Sequence, residues 1–244
     1  MSDTLVVNEI YLSLQGESTF AGLPCIFIRL TACNLRCSYC DTAYAFTEGS
    51  KTAFADIVAK VEQLATPYRN AKSTHKLPLI EFTGGEPLLQ PNAPKLMKTL
   101  CDRGYTVLVE TSGALDVSVV DPRVHRIMDL KCPSSGEVER NRYENIKHLK
   151  ATDEVKFVIG TIEDYEWAKE QVAKFEMAKI CPILFSWVAP LQEQQRVASL
   201  KSVPPGQTPI TRKELVERII ADALPVRFQL QMHKFIWPPD ERGV

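Results

Sequence analysis

No stretch of the sequence approaches the roughly 20 consecutive apolar residues of a membrane span. Its start, MSDTLVVNEIYL, lacks a charged segment followed by an apolar run. The expectation is a soluble, cytoplasmic chain. An excess of one charge is missing too: 29 basic residues stand against 30 acidic ones, for a formal net charge of −1. Binding to nucleic acid through a positive field is therefore not expected. Repeats and low-complexity segments are absent. The seven cysteines are an odd number, and three of them fall between positions 33 and 40, too close for a disulfide framework in a chain of 244 residues. Metal binding fits that local density better than crosslinking.

What is present is an alternation of strand-length apolar runs with segments of helical period, the mark of β/α units and a mostly parallel sheet. With 45% hydrophobic residues, one α/β domain spanning 1–244 is expected. Strands are predicted at 25–30, 78–83, 105–110, 124–130, 154–159, 180–186 and 226–232. Phe54, Ile57, Val58, Val61 and Leu64 fall at helical spacing, as do Leu96, Met97 and Leu100, with Gly104 placed to end that helix. Thr211 and Glu214 form a capping box ahead of Leu215, Ile219 and Ile220. The proline-containing stretch 191–209 reads as loop, with or without a short helix. The pattern predicts about six or seven β/α units and leaves a partly open barrel and an open sheet as alternatives. Either way, the chemistry belongs at the carboxyl ends of the strands.

After the first of these strands comes CNLRCSYCDT, with Cys33, Cys37 and Cys40 in C-x3-C-x2-C spacing. A chain extends at most about 3.6 Å per residue, so three sulfurs on this loop can reach one metal centre. Three ligands leave one iron of a [4Fe-4S] cluster open to a small chelating molecule, whereas four would close it. A zinc site is the alternative and would need a fourth ligand such as Cys25 or His75. The other cysteines, Cys25, Cys101, Cys132 and Cys181, sit in or beside apolar runs and read as core. The cysteine loop, with Tyr39 before the third cysteine, resembles the C-x3-C-x-aromatic-C hallmark of the radical S-adenosylmethionine (SAM) superfamily. That resemblance implies a partial, open β/α barrel, a [4Fe-4S] cluster and bound SAM.

The second strand runs into Thr83-Gly84-Gly85-Glu86-Pro87, where consecutive glycines allow close backbone approach and Glu86 adds a carboxylate. This resembles the superfamily's motif at the SAM amino group. Together with the fold, Tyr39, Cys40, Asp41, Gly85, Glu86, Glu110, Ser112, Asp129, Leu130, Lys131 and Ser186 are implied to hold SAM. Taken alone, Glu110 or Lys131 reads equally as a solvated loop charge.

Beyond the shared motifs, NEIYLSLQGES at the start, TGGEP, ETSG and FQLQMHK near the end resemble the 7-carboxy-7-deazaguanine synthase family. The implied substrate is 6-carboxy-5,6,7,8-tetrahydropterin. Gln15, with backbone groups of Leu14 and Gly16, suits the donor and acceptor edge of a pterin, and Glu17 suits its amino groups. Arg29 offers a fork to the carboxylate, though it also reads as an ordinary ion-pair partner. Thr83 and His233 are implied to face the substrate as well; alone, His233 would be a core histidine. The resemblance further implies Mg²⁺ on the Thr42 hydroxyl. Without the family, Asp41-Thr42 is a turn or loop cap.

The implied reaction starts with reductive cleavage of SAM to a 5′-deoxyadenosyl radical, which removes a hydrogen from C6 of the pterin. Ring contraction, return of the hydrogen and loss of ammonia give 7-carboxy-7-deazaguanine, a precursor of deazapurines such as queuosine. An external electron donor such as flavodoxin or ferredoxin, and a homodimer, are the implied partners. A glycyl-radical activating enzyme shares the cysteine loop, but a second cysteine cluster, which such enzymes often carry, is absent. A non-catalytic metal-binding module would leave the SAM-pocket residues unexplained. The segment after Lys234, a C-terminal extension at 234–244, runs beyond the point at which short family members end.

Overall fold

A computed structural model of the chain describes residues 3–238 and 241–244. Met1 and Ser2, and Pro239 and Asp240 of the expected C-terminal extension, lie outside the described residues. Among the described residues nine strands form one sheet: β1 (Thr4–Leu14), β2 (Pro24–Leu30), β3 (Ser50–Ala53), β4 (Leu79–Gly84), β5 (Val107–Thr111), β6 (His125–Asp129), β7 (Glu154–Ile159), β8 (Ile183–Trp187) and β9 (Arg227–Gln229), in the order β3-β1-β2-β4-β5-β6-β7-β8-β9. From β2 to β9 every neighbouring pair is parallel, while β1 runs antiparallel to both β2 and β3. The sheet is open, with β3 and β9 as its edges.

Each of the seven predicted strands has its counterpart among the parallel strands. Strands β1 and β3 were not predicted. β3 is a four-residue polar edge, and β1 is half-buried along most of its length, so neither carries a clean alternation. The chain crosses between parallel strands through α1 (Phe54–Ala65), α2 (Ala93–Asp102), α3 (Ile162–Lys174) and α4 (Arg212–Ala221). The β5–β6 and β6–β7 crossovers carry only 3-10 turns, so the β/α repeat is less regular than the sequence pattern implies. Gly104 follows α2 with φ +79°, a left-handed conformation that glycine adopts without steric cost. The Thr211/Glu214 capping box is formed at the start of α4, and a second, Thr161 with Asp164, starts α3.

Period-two alternation gives the sheet two unlike faces. Ile26, Ile28, Leu30, Ile80, Phe82, Val107 and Val109 turn toward the apolar sides of α1 and α2, and Val155, Phe157, Ile159, Ile183 and Phe185 toward α3 and α4. The intervening residues face the other way. Near the amino ends of the strands Cys25, Phe27, Leu79, Leu108 and Ile127 close over Phe20 as an apolar plug. One step further along, the same face presents Arg29, Glu81, Thr83, Glu110, Asp129 and Lys156 to a cleft at the carboxyl ends. A short last helix, α5 (His233–Ile236), brings the end of the chain across that cleft. Among the described residues no helix is long and apolar enough to cross a membrane.

Candidate active site

The cysteine loop leaves β2 at Leu30 and is tied down by the segment 134–137. Arg36 N–H donates to Glu137 Oε1 (2.7 Å), Ser38 N–H to Ser135 O (3.0 Å) and Ser38 Oγ to Ser134 O (2.7 Å). Inside the loop, Arg36 Nη1 donates to Cys33 O (2.8 Å) and its guanidinium lies over Phe46, 4.1 Å from the ring centroid. Cys33, Cys37, Tyr39, Cys40, Asp41 and Thr42 all line one cleft with about 1300 Å³ of space open to solvent. Burial pushes the three thiols up, Cys37 to about 12. Among the described residues the thiols do not form a preassembled metal-ligand group. As a donor set, three soft sulfurs on one wall fit an iron–sulfur cluster with an open iron. Cys25, Cys101, Cys132 and Cys181 are buried in the apolar cores, as expected.

The Gly84-Gly85 turn departs from its expected use. A Cβ on Gly84, whose φ is +136°, would stand 2.1 Å from Leu30 O, and one on Gly85 2.1 Å from Ala32 O and 2.8 Å from Cys33 Cβ. The glycines let β4 approach the cysteine loop, and the Gly85 and Glu86 amides donate to Leu30 O (3.2 Å) and Ala32 O (2.8 Å). Gly85 still lines the cleft. Glu86 does not: it is fully buried and accepts from Leu88 N (3.0 Å), Thr111 Oγ1 (2.9 Å), Ser112 N (2.8 Å) and Ser112 Oγ (2.6 Å). Its side chain therefore positions Ser112 and is not itself a ligand group. Leu130 likewise turns into the core below α3, and Ser186, 1% exposed on β8, is covered and absent from the cleft wall. The remaining candidates of this end, Glu110, Ser112, Asp129 and Lys131, do line it. Lys131 Nζ pairs with Asp129 Oδ2 (2.8 Å); burial alone would lower its ammonium, but Asp129 and then Cys37 hold it above its usual value. Asp129 Oδ1 and the Tyr39 hydroxyl are buried polar atoms without a hydrogen-bond partner among the described residues, as a polar ligand beside the cysteine loop requires.

At the other end, Arg29 is placed by β2 with Nε on Glu9 Oε1 (2.7 Å) and Nη2 on the Tyr11 hydroxyl (2.8 Å). Tyr44 also donates to Glu9 (2.9 Å), and Arg29 lies near both the Tyr11 and Tyr44 rings. Nη1 has no protein partner among the described residues, which leaves the end of the guanidinium for an anion. Gly16 touches His233: a Cβ there would stand 2.4 Å from His233 Nδ1, and Gly16 O accepts from Met232 N (2.9 Å). That contact joins the two ends of the sequence. Lys234 Nζ pairs with Asp41 Oδ2 (2.5 Å); burial would raise the Asp41 carboxyl, but Lys234, His233 and Arg29 outweigh it and hold it low. Thr42 Oγ1 lies 3.8 Å from Cys40 Sγ. Leu14, Gln15, Gly16, Glu17, Arg29, Thr83 and His233 all line the cleft.

The sequence reading missed Lys156 and Glu81. Lys156, 4% exposed, pairs with Glu17 (3.1 Å) and Glu110 and lies 3.8 Å from Asp129 Oδ2. Burial favours a neutral amine there, yet Glu110 and Glu17 hold the ammonium well above its usual value. Glu17, which burial would raise, is brought down to about 2 by Lys156, His233 and Gln231. Both missed residues had a signal: a charged residue flanked on both sides by apolar ones within a strand, VKF in EVKFVI and IEF in LIEFTG.

An open, mostly parallel sheet, a three-cysteine loop and a cleft at the strand ends define a radical SAM enzyme, and a family model described as the radical SAM superfamily matches residues 27–134. The 7-carboxy-7-deazaguanine synthase of Koribacter versatilis is 42% identical over 241 residues, covering 98% of this chain and 99% of that one. The enzyme of the same name from Chlorobaculum tepidum is 41% identical over 243 residues, with 98% and 97% covered. The chain belongs to the 7-carboxy-7-deazaguanine synthase family. The crystal structure of QueE from Escherichia coli shares the fold, with a TM-score of 0.66 at 22% identity over 94% of this chain and 95% of that one.

Proposed function

We propose that this cleft carries out the radical-mediated ring contraction of 6-carboxy-5,6,7,8-tetrahydropterin to 7-carboxy-7-deazaguanine, with loss of ammonia. The observation that carries the reading is the meeting of the three thiols with Arg29, Glu17 and His233 on one cleft, in a chain of this family. Cys33, Cys37 and Cys40 would hold a [4Fe-4S] cluster, which would supply the electron for cleaving SAM. The chain's own part is orientation and electrostatics. Asp129, Lys131, Ser112, Glu110 and Gly85 hold SAM against the cysteine loop. The free end of Arg29 receives the substrate carboxylate, and its Glu9 and Tyr11 contacts keep the guanidinium from turning. Glu17, an anion locked to Lys156, accepts from the pterin amino groups, with Thr83 and His233 at the rim of the ring.

Mg²⁺ fits by donor type. The Thr42 hydroxyl is a hard oxygen on the cleft wall, and Mg²⁺ takes few protein ligands while keeping several waters. Asp41 is committed to Lys234, so Thr42 is the side chain assigned to the ion. An external one-electron donor of flavodoxin or ferredoxin type and a homodimer complete the reading. Exposed Ile220, Phe235 and Ile236 supply apolar surface for the latter. Seven free cysteines accord with a cytoplasmic location, where thiols stay reduced.

The test is anaerobic reconstitution with iron and sulfide, incubation with SAM, dithionite and the carboxypterin, and mass spectrometry. A product lighter than the substrate by ammonia is expected. SAM cleavage with no change in the pterin would overturn the substrate assignment.

A further inference from the structure

Glu81 is a buried carboxyl on the cleft wall that the reading above leaves without a role. It occupies the middle of β4, is 2% exposed and faces the cleft between the apolar plug and Thr83. One oxygen, Oε2, accepts a short hydrogen bond from Gln15 Nε2, and Gln15 Oε1 in turn accepts from Glu17 N–H (2.8 Å). Both polar ends of Gln15 are therefore engaged within the protein, which fixes the amide plane and leaves one N–H and one lone pair uncommitted. The other oxygen of Glu81 meets no protein donor or acceptor among the described residues.

The ionic pairing around it leaves Glu81 aside. Arg29 is taken by Glu9, Lys131 by Asp129, and Lys156 by Glu17 and Glu110. Glu81 touches only an amide. The titratable and charged groups facing it are Glu17 from the loop after β1, Tyr11 on β1, Cys25 and Arg29 on β2, Glu110 on β5 and Lys156 on β7. Burial, then the Glu110 and Glu17 charges, push its carboxyl well above the ordinary value, against the pull of Lys156 and Arg29. A neutral acid whose carbonyl oxygen accepts from Gln15 turns its hydroxyl outward as a donor.

We propose that Glu81 is a specificity-determining residue of the substrate pocket: it locks the Gln15–Glu17 turn through one oxygen and donates a hydrogen bond from the other to an acceptor on the edge of the heterocycle. This rests on the pterin reading above. A neutral donor on the ring edge, beside the anionic Glu17, selects a ring that presents an acceptor and a donor side by side, and rejects analogues lacking the acceptor.

The experiment measures binding of the carboxypterin to reconstituted, SAM-loaded holoenzyme by calorimetry, together with KM and kcat, for wild type, Glu81→Gln and Glu81→Ala. Glu81→Gln keeps an acceptor for Gln15 and an outward donor, so its Kd and KM should stay within about threefold of wild type at neutral pH. Glu81→Ala leaves the Gln15 amide unpaired, and Kd and KM should rise about tenfold to a hundredfold. SAM cleavage without substrate should be unchanged in both. As pH rises through the Glu81 titration wild-type KM should climb, a step that Glu81→Gln lacks and that a purely structural role would not produce. Equal Kd for wild type and Glu81→Ala, or a Glu81→Gln as impaired as Glu81→Ala, overturns the inference alone. Failure of the carboxypterin to bind wild type overturns the substrate reading and this inference with it.

Discussion

Glu86→Gln tests whether the Glu86 carboxylate is a buried clamp or a ligand group. In the native fold one oxygen serves Leu88 N and Thr111 Oγ1, the other Ser112 N and Ser112 Oγ, all at 3.0 Å or less. A glutamine amide has one oxygen. Whichever way it turns, its NH₂ group meets a backbone N–H, of Leu88 or of Ser112, and two donors then face each other in a fully buried site. The hydroxyls can rotate to accept; the amides cannot. An unsatisfied buried donor costs about 1–3 kcal/mol, and loss of the charge-assisted bonds adds about 1 kcal/mol. For a chain of this size each kcal/mol lowers Tm by about 2–4 °C, so a fall of roughly 5 to 15 °C is expected. Because Ser112 loses its anchor at the cleft, SAM should bind about tenfold more weakly. Calorimetric melting of wild type and Glu86→Gln at matched cluster content, with SAM titrations on both, measures the two effects. Unchanged Tm with weakened SAM binding would refute the clamp and return Glu86 to the ligands.

Cys33→Ala, Cys37→Ala or Cys40→Ala should each abolish the absorbance near about 400 nm after reconstitution and SAM cleavage with it. Cys101→Ala and Cys181→Ala should keep both, costing about 1 kcal/mol in packing. Arg29→Lys keeps the charge but cannot hold Glu9, Tyr11 and a carboxylate at once. Its kcat/KM for the carboxypterin should fall about tenfold to a hundredfold with cluster content unchanged, and equal values would make Arg29 structural. Turnover should rise with Mg²⁺, and Thr42→Ala should weaken that dependence while sparing SAM cleavage without substrate; indifference to chelation would remove the metal.

The residues that carry chemistry through local spacing were legible in the sequence. Three thiols within eight residues can act together whatever the surrounding fold, and the seven parallel strands announce themselves as strand-length runs rich in apolar residues between segments of helical period. The capping box at Thr211 is likewise a local hydrogen-bond pattern. Strands β1 and β3 are exposed enough to lack that signal, and their place depends on antiparallel pairing at the sheet margin. Only the tertiary structure decided which polar groups are already used. Glu86 reads as a ligand group because a carboxylate suits a polar ligand, yet packing gives it to Ser112, while Gln15 stays on the cleft wall with its amide oriented by Glu81. The joining of Gly16 to His233, and of Asp41 to Lys234, spans nearly the whole sequence. The sharing of Lys156 by carboxylates from two other elements is equally a product of the packed fold. Spacing along the chain states what a segment can do; hydrogen-bond capacity is finite, and only the packed fold shows which atoms have any left.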